Sequence, residues 1–373
     1  MEKMLLVGVN TRPLTQSAYQ LGYEIFSTSY FCTSDFNSYH HKKCILKQKT
    51  DYSCGNFEES FHSSVLLDLA SSYIDRVDHI IPYTGVLPDN FPSSKILGNK
   101  RVENIVNKYK LYKKLKKKFL LPLTYLSPSL EKIQEIRLQF PEKEFIIKPI
   151  FGSGGYGIEK LNKRKRELDD ENFILQEFIP GENVSTSVLS TIKESKAIIS
   201  SRQLYVEDYA SKNSFIYAGN VAPYPGIDVK FNSVAQEVVK ELSLIGSNGV
   251  DMIIKDNDIY IIEVNPRIQG TFECSESSLG INMIEAHVKA CQGELINCPK
   301  PNKYTLKKIL YAPYKTKVGN LNNPGVHDVP LTNTIIEKGE PIATVIHAAK
   351  DLAEVQYKVN ITSKQLKEKW RKC

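Results

Sequence analysis

The sequence predicts an α/β domain at the N-terminus, an α+β body after it, and a small β-rich C-terminal segment. Three observations support that division. The chain opens on a strand–helix–strand pattern, its middle is dominated by strands and hairpins, and its last stretch of about seventy residues reads as short strands around Glu337-Lys338-Gly339-Glu340-Pro341 before a basic helix. The expected boundaries are 1–95, 96–304 and 305–373.

In the first domain, Leu5 to Val9 forms a strand and Asn10-Thr11-Arg12-Pro13 a polar turn. A helix then runs to about Leu21, Gly22 stops it, and a second strand covers Tyr23 to Thr28. No G-x-G-x-x-G follows the first strand, so a dinucleotide site is not indicated. Asn10 and Arg12 nevertheless sit at the carboxyl end of that strand, where open α/β sheets bind ligands, and Asp35 lies nearby in sequence. Substrate contact and a plain turn both remain open there. A helix near Phe61 to Tyr73 and the strand His79 to Tyr83 complete the domain.

In the body, Ile105, Tyr109, Tyr112, Leu115 and Phe119 form the apolar stripe of a lysine-rich helix. The extended Leu121-Pro122-Leu123-Thr124, a helix near Leu130 to Phe140 and a strand from Glu144 come next. Two further helices are expected, from Ser233 to Gly246 and from Asn282 to Cys291.

Composition excludes several classes of protein. At 373 residues, with 41% hydrophobic and 24% charged residues, the chain can bury a core without staples, and no run of about eighteen apolar residues offers a membrane span. Seven scattered cysteines without a C-x-x-C pair argue against a disulfide framework and against structural zinc. With no secretory signal at Met1 to Gly8, the expectation is a cytoplasmic protein with reduced thiols. The net charge of +7 is concentrated in Lys108 to Lys118 and Lys160 to Arg166; it suits an anionic ligand, while both clusters also read as solvated faces. No nucleic-acid-binding module accompanies them. No seam for self-association stands out, so the oligomeric state, a homodimer included, stays open.

Two constellations carry chemistry. In Phe145-Ile146-Ile147-Lys148-Pro149, alternation puts Lys148 on the side of Ile146 and Ile150, among apolar groups, which calls for a companion anion. The loop Gly152-Ser153-Gly154-Gly155-Tyr156-Gly157 follows directly, and its glycines let backbone N–H groups approach phosphate oxygens. A plain hairpin turn is the competing reading.

The second is the hairpin Gly249 to Arg267. If Asp256-Asn257-Asp258 form its turn, Lys255 faces Ile259 and Asp251 faces Glu263. Asn265 then shares the face of Glu263. Facing carboxylates destabilise a strand pair unless a cation accompanies them, and two carboxylates with an amide oxygen suit Mg²⁺, which takes its remaining ligands from water and phosphates. Arg267 projects just beyond, placed to steady a transferring phosphoryl group. A weaker third segment, Gln176-Glu177-Phe178-Ile179 with Glu182 after it, offers backbone groups for an adenine edge and an acid for ribose hydroxyls.

Taken together, Lys148, the glycine loop and Glu263-Val264-Asn265-Pro266-Arg267 resemble the ATP-grasp superfamily, the last segment matching its E-x-N-P-R motif. The resemblance covers residue 1 to about 300. It implies a Rossmann-like domain ahead of an ATP-grasp domain with two lobes around MgATP, Mn²⁺ being an alternative ion. It also implies ATP contacts at Lys108 (with Lys110 a competitor), Lys148, Gly152, Ser153, Gly154, Gly155, Gln176, Glu177, Phe178, Ile179 and Glu182. The metal ligands would be Asp251, Glu263 and Asn265, with Lys148 and Arg267 catalytic. Gln176 departs from the acid more common at its position.

Residues 320 to 350 look like an extension found in a group of archaeal and methylotroph ATP-grasp proteins. Within that group Ser201-Arg202-Gln203 and Phe215 to Pro223 would line the site. The implied activity is an ATP-dependent ligase that turns a small substrate's carboxylate into an acyl-phosphate for attack by an amine or another nucleophile. A non-catalytic nucleotide-binding module and a biotin-carboxylase-like enzyme are the alternatives.

Overall fold

The computed structural model describes residues 1–36, 41–161, 172–206, 215–226 and 230–373. Part of the basic cluster Lys160 to Arg166 therefore lies outside the described residues. Among those described, the strands form four sheets. No helix among them is long and apolar enough to cross a membrane.

The first sheet is parallel, with strands β1 (Lys3–Gly8), β2 (Glu24–Ser29), β3 (His41–Cys44) and β4 (His79–Pro82) in the order β3-β2-β1-β4. Alternation along β1 feeds two cores. Leu5 and Val7 pack with Leu66 and Ala70 of α3 (Ser63–Ile74), and Met4 and Leu6 pack with Leu14 and Ala18 of α1 (Arg12–Gln20). A short helix, α2 (Phe57–Ser60), precedes α3.

The lysine-rich helix is broken in two, α4 (Glu103–Val106) and α5 (Lys108–Leu115). Asn107 is the reason: its extended backbone ends the first helix, and its side chain accepts a hydrogen bond from the Lys110 N–H, capping the second. The break puts Lys108 at the start of a helix, with its N–H donating to the Ile150 carbonyl at 3.2 Å.

A small antiparallel sheet forms one lobe: β5 (Thr124–Leu126), β6 (Phe145–Pro149), β7 (Glu159–Lys160) and β8 (Phe173–Glu177), ordered β5-β8-β6-β7. Helix α6 (Leu130–Gln139) covers one face through Ile133 and Ile136. The other lobe is an eight-stranded sheet, ordered β13-β12-β9-β10-β11-β14-β18-β16. Its strands are β9 (Glu182–Ser190), β10 (Ser195–Tyr205), β11 (Tyr217–Ala222), β12 (Gly246–Lys255), β13 (Asp258–Asn265), β14 (Tyr304–Tyr311), β16 (Val326–His327) and β18 (Pro341–Ala349).

On the back of this sheet lies α7 (Lys230–Glu241). Its Phe231, Ala235, Val238 and Val239 bury against Val184, Val188, Val250 and Val264. At about 1.5–3 kcal/mol for each large apolar side chain, this layer holds the sheet from behind and leaves its polar front face to the cleft. On the front side, α8 (Phe272–Leu279) and α9 (Met283–Cys291) follow β13.

Strands from residues 305–373 continue the large sheet. A three-stranded sheet, β17 (Ile335–Ile336), β15 (Thr316–Val318) and β19 (Trp370–Lys372), and helix α10 (Leu352–Lys367) complete that end. Strand β19 was not expected from the sequence, which reads there only as the end of a basic helix.

Candidate active site

The two lobes enclose a cleft of about 440 Å³, lined by Lys108, Lys148, Ser153, Gly154, Gly155, Gln176 to Ile179, Asp251, Glu263, Asn265 and Arg267 among others. Sequence-distant candidates thus meet in one cavity. Lys148, on β6, is buried and makes no ion pair among the described residues. Burial, reinforced by the neighbouring Lys108 and opposed by Glu263, lowers its pKa to about 8. Lys108 enters the cleft beside it, donating from Nζ to the Gly152 carbonyl at 2.8 Å and lying 3.9 Å from Glu263. Lys110 instead pairs with Glu103 at 2.6 Å on the surface.

The carboxylate pair stands as the hairpin argument requires, Asp251 directly opposite Glu263, but by a different route. The turn has two residues, since Lys255 faces Asp258, and the left-handed conformation of Asp256 accommodates it. Ile262 is then an extra residue on β13, a β-bulge that restores the register at Glu263. Asn265 Nδ2 donates to Asp251 Oδ2 at 3.0 Å, so the amide touches the carboxylate that Glu263 faces across the ladder.

Burial and then the charge of Glu263 push the Asp251 carboxyl up to about 6, against the pull of Ser185, Arg267 and Asn265. Two crowded carboxylates with an amide oxygen are a donor set that fits a hard divalent ion held partly by phosphates. Among the described residues no larger cluster of metal-ligating side chains exists. Arg267 also faces the cleft without an ion pair among the described residues, its guanidinium 6.0 Å from the Tyr83 ring centre.

Comparison with known proteins agrees with this geometry. The sequence model of the ATP-grasp domain matches residues 105–271. An uncharacterised protein of Methanocaldococcus jannaschii is 34% identical over 357 residues, covering 92% of this chain and 88% of its own length. The chain belongs to the ATP-grasp family.

A tyramine–L-glutamate ligase of the same organism is 28% identical over 228 residues, 61% of this chain and 64% of the ligase. Among solved structures, biotin carboxylase from Campylobacter jejuni superposes with a TM-score of 0.71 at 15% identity, covering 98% of this chain and 91% of that one. N5-carboxyaminoimidazole ribonucleotide synthetase from Thermotoga maritima gives 0.65 at 15% identity, with 98% of each chain covered. These two likenesses concern the ATP-grasp fold, which is the fold class the sequence predicts.

Within this ATP-grasp cleft, Gln176 is buried and donates to Thr124 Oγ1 at 3.0 Å. The Glu177 carboxylate is engaged by Lys143 and by the Leu123 N–H. The Ile179 N–H finds no acceptor among the described residues, leaving one free donor at the hinge. Gly152 contributes its carbonyl to Lys108 and does not itself line the cavity.

Glu182 does not face the cleft, contrary to expectation. Ser185 points at Asp251, so alternation turns Asn183 to the cavity and Glu182 to the opposite face, where it pairs with Arg202 and Tyr224. Arg202 leaves the site with it, whereas Gln203, Phe215 and Tyr217 do line the cleft.

Asn10, Arg12 and Asp35 are not cleft residues either. Arg12 is buried between Asp328 at 2.7 Å and Glu273 at 2.8 Å, and Asn10 donates to the same Asp328 at 2.8 Å. Sequence reasoning missed Ser185, Tyr205, Gln269 and Thr271, which lie on or beside the cleft wall. Gln269, two residues beyond Arg267, was the one within reach of the motif's own spacing.

Proposed function

We propose that this chain is an ATP-dependent ligase that phosphorylates a substrate carboxylate and lets an amine displace the phosphate. The observation that carries the reading is the convergence of Lys108, Lys148, Arg267 and the Asp251–Glu263–Asn265 set in one cleft. Simple nucleotide binding would not require all of them.

Asp251, Glu263 and Asn265 would hold Mg²⁺, which supplies charge neutralisation on the phosphates of ATP. The chain's own residues do the rest. Lys148 and Lys108 would place positive charge along the phosphate path, and Arg267, in the same cleft, would counter the charge of an acyl-phosphate. Ile179 offers its N–H to an adenine edge, and Ser153 to Gly155 cover the phosphates and limit the access of water. The relative named for tyramine and L-glutamate supports an amine and a carboxylic acid as the substrate classes.

The test is Mg²⁺-dependent ADP release by the purified protein, offered carboxylic acids and amines in pairs, with Glu263→Gln as control. Release that needs both partners and disappears in the variant is expected. Release independent of any acid, or retained in Glu263→Gln, would overturn the proposal.

A further inference from the structure

The Asp251 carboxylate is held unequally. Its Oδ1 accepts from Ser185 Oγ at 2.6 Å, from Gln203 Nε2 at 3.2 Å and from Gln269 Nε2 at 3.4 Å, whereas among the described residues Oδ2 accepts only from Asn265 Nδ2 at 3.0 Å. One oxygen is anchored to the sheet and the other is left beside the Glu263 strand. Two of the anchors, Ser185 and Gln269, also hold each other, Nε2 donating to Oγ at 3.0 Å.

Gln203 is held from elsewhere. Its Oε1 accepts from the Tyr205 hydroxyl at 2.9 Å. The Asp251 carboxylate, an acceptor only when ionised, takes the Nε2 end of the amide, which leaves Oε1 to the Tyr205 hydroxyl. Gln203 and Tyr205 are two residues apart on β10 and share the front face of the sheet. The pairing of β10 with β11 shifts at Leu204/Tyr205, leaving Ala218 as the extra residue, and Tyr205 then stands opposite Tyr217 in the cleft wall.

We propose that Tyr205 and Gln203 are positioning residues, a relay from the cleft wall that fixes the Asp251 carboxylate so that its second oxygen can serve a divalent cation. This rests on reading Asp251, Glu263 and Asn265 as the cation's holders. Neither relay member touches that ion; each acts through Asp251. Outer partners of this kind orient ligands, and their loss typically weakens metal binding by about 10–100-fold.

The experiment measures Mn²⁺ uptake by the protein–ADP complex, read from the loss of the free-ion paramagnetic resonance signal, together with ADP affinity in the absence of divalent ions. Tyr205→Phe, Gln203→Met and the double variant are compared with the wild type. Tyr205→Phe removes a single oxygen and keeps the ring, so the fold is retained.

Each single variant should weaken Mn²⁺ binding by about tenfold, and the double variant should be no weaker than Gln203→Met alone, because the two residues act in series. Metal-free ADP affinity should stay within about twofold in all three, since a general loss of structure would lower both. Unchanged Mn²⁺ affinity in the single variants, or additive losses in the double, would overturn the relay. A wild-type complex that takes up no Mn²⁺ would instead remove the metal reading of the site, and the relay with it.

Discussion

Arg12 and Asp328 lie 316 residues apart in the sequence, and their side chains meet at 2.7 Å, Nε donating to Oδ1. Glu273 takes a second edge of the same guanidinium at 2.8 Å and is itself held by Lys307 at 2.6 Å. Thr344 and Asn10 complete the shell of Asp328. The first domain, the body and the C-terminal strands are thereby joined at one buried point. Against the effect of burial, Arg12 and Lys307 hold the Asp328 carboxyl well below the usual carboxylate range, and Glu273 is likewise lowered.

Removing Arg12 would therefore leave the buried Asp328 without its paired cation and Glu273 with Lys307 alone. Arg12→Met is expected to cost about 3–5 kcal/mol at neutral pH, measured by urea unfolding. Carboxylates with depressed pKa values stabilise the fold above their ordinary range and lose that contribution as pH falls through the folded values. The gap between variant and wild type should accordingly narrow as the pH drops below about 4. A gap that is constant with pH would mean that the network contributes packing only.

How much of this was legible in the sequence depends on how local each feature is. The Asp251–Glu263 pairing was, because two departures cancel: the turn is one residue shorter than expected and the bulge at Ile262 restores that residue. The position of Glu182 was misread because its parity is fixed by which neighbour faces Asp251, a tertiary fact supplied by Ser185. Asn107 is a strong helix cap by residue type, yet the apolar stripe running through it masked the break. The Arg12–Asp328 contact has no local signal at all, since no periodicity links residues so far apart.

Lys148 should trade stability for binding. Its pKa falls from 10.5 to about 8 on folding, which corresponds to a burial cost of roughly 3 kcal/mol at neutral pH. Lys148→Met keeps a similar volume without the charge. The ligand-free variant should melt higher than the wild type, while its ATP affinity falls by about 10–100-fold, the loss of one charged hydrogen bond. Lys110→Met, on the surface, should change neither. Calorimetric melting with equilibrium nucleotide titration distinguishes these outcomes, and a Lys148→Met protein that binds ATP normally would move the phosphate site elsewhere.

His287 predicts an acid-labile fold away from the cleft. Its Nδ1 accepts from the Ser247 N–H at 2.9 Å, its Nε2 lies 3.1 Å from the Leu97 carbonyl, and burial lowers its pKa to about 4. The folded protein therefore keeps a neutral ring where the unfolded chain, titrating near 6.5, would take a proton. Its contribution is complete above pH 6.5 and is lost as pH falls from there towards 4, amounting to roughly 3 kcal/mol. In urea melts between those pH values, His287→Gln should show a flatter stability profile than the wild type. Parallel profiles would place the acid sensitivity in other groups.

The glycine loop gives a prediction that separates two adjacent positions. Gly154 and Gly155 both have positive φ, +73° and +85°, so a side chain at either is strained by about 1–2 kcal/mol. Their surroundings differ. A Cβ on Gly154 would meet nothing closer than 3.5 Å, whereas one on Gly155 would lie 1.8 Å from the Phe215 carbonyl oxygen and 2.4 Å from its carbon. These are backbone atoms and cannot rotate aside. The Tyr217 N–H donates to the Gly154 carbonyl at 3.1 Å, and Tyr156 packs beside Ile216, Ala218 and Tyr311 while its ring sits 5.9 Å from Phe57. Loop, sheet and first domain are thus docked together over the cleft. Gly155→Ala must lift the loop from Phe215, whereas Gly154→Ala need only tolerate its own backbone strain. Nucleotide affinity and ADP release should consequently fall by about tenfold or more in Gly155→Ala and by much less in Gly154→Ala, with the loop in Gly155→Ala cut faster by protease even when ATP is present. Equal losses in the two variants would mean that backbone strain alone, and not docking against Phe215, sets the behaviour of the loop.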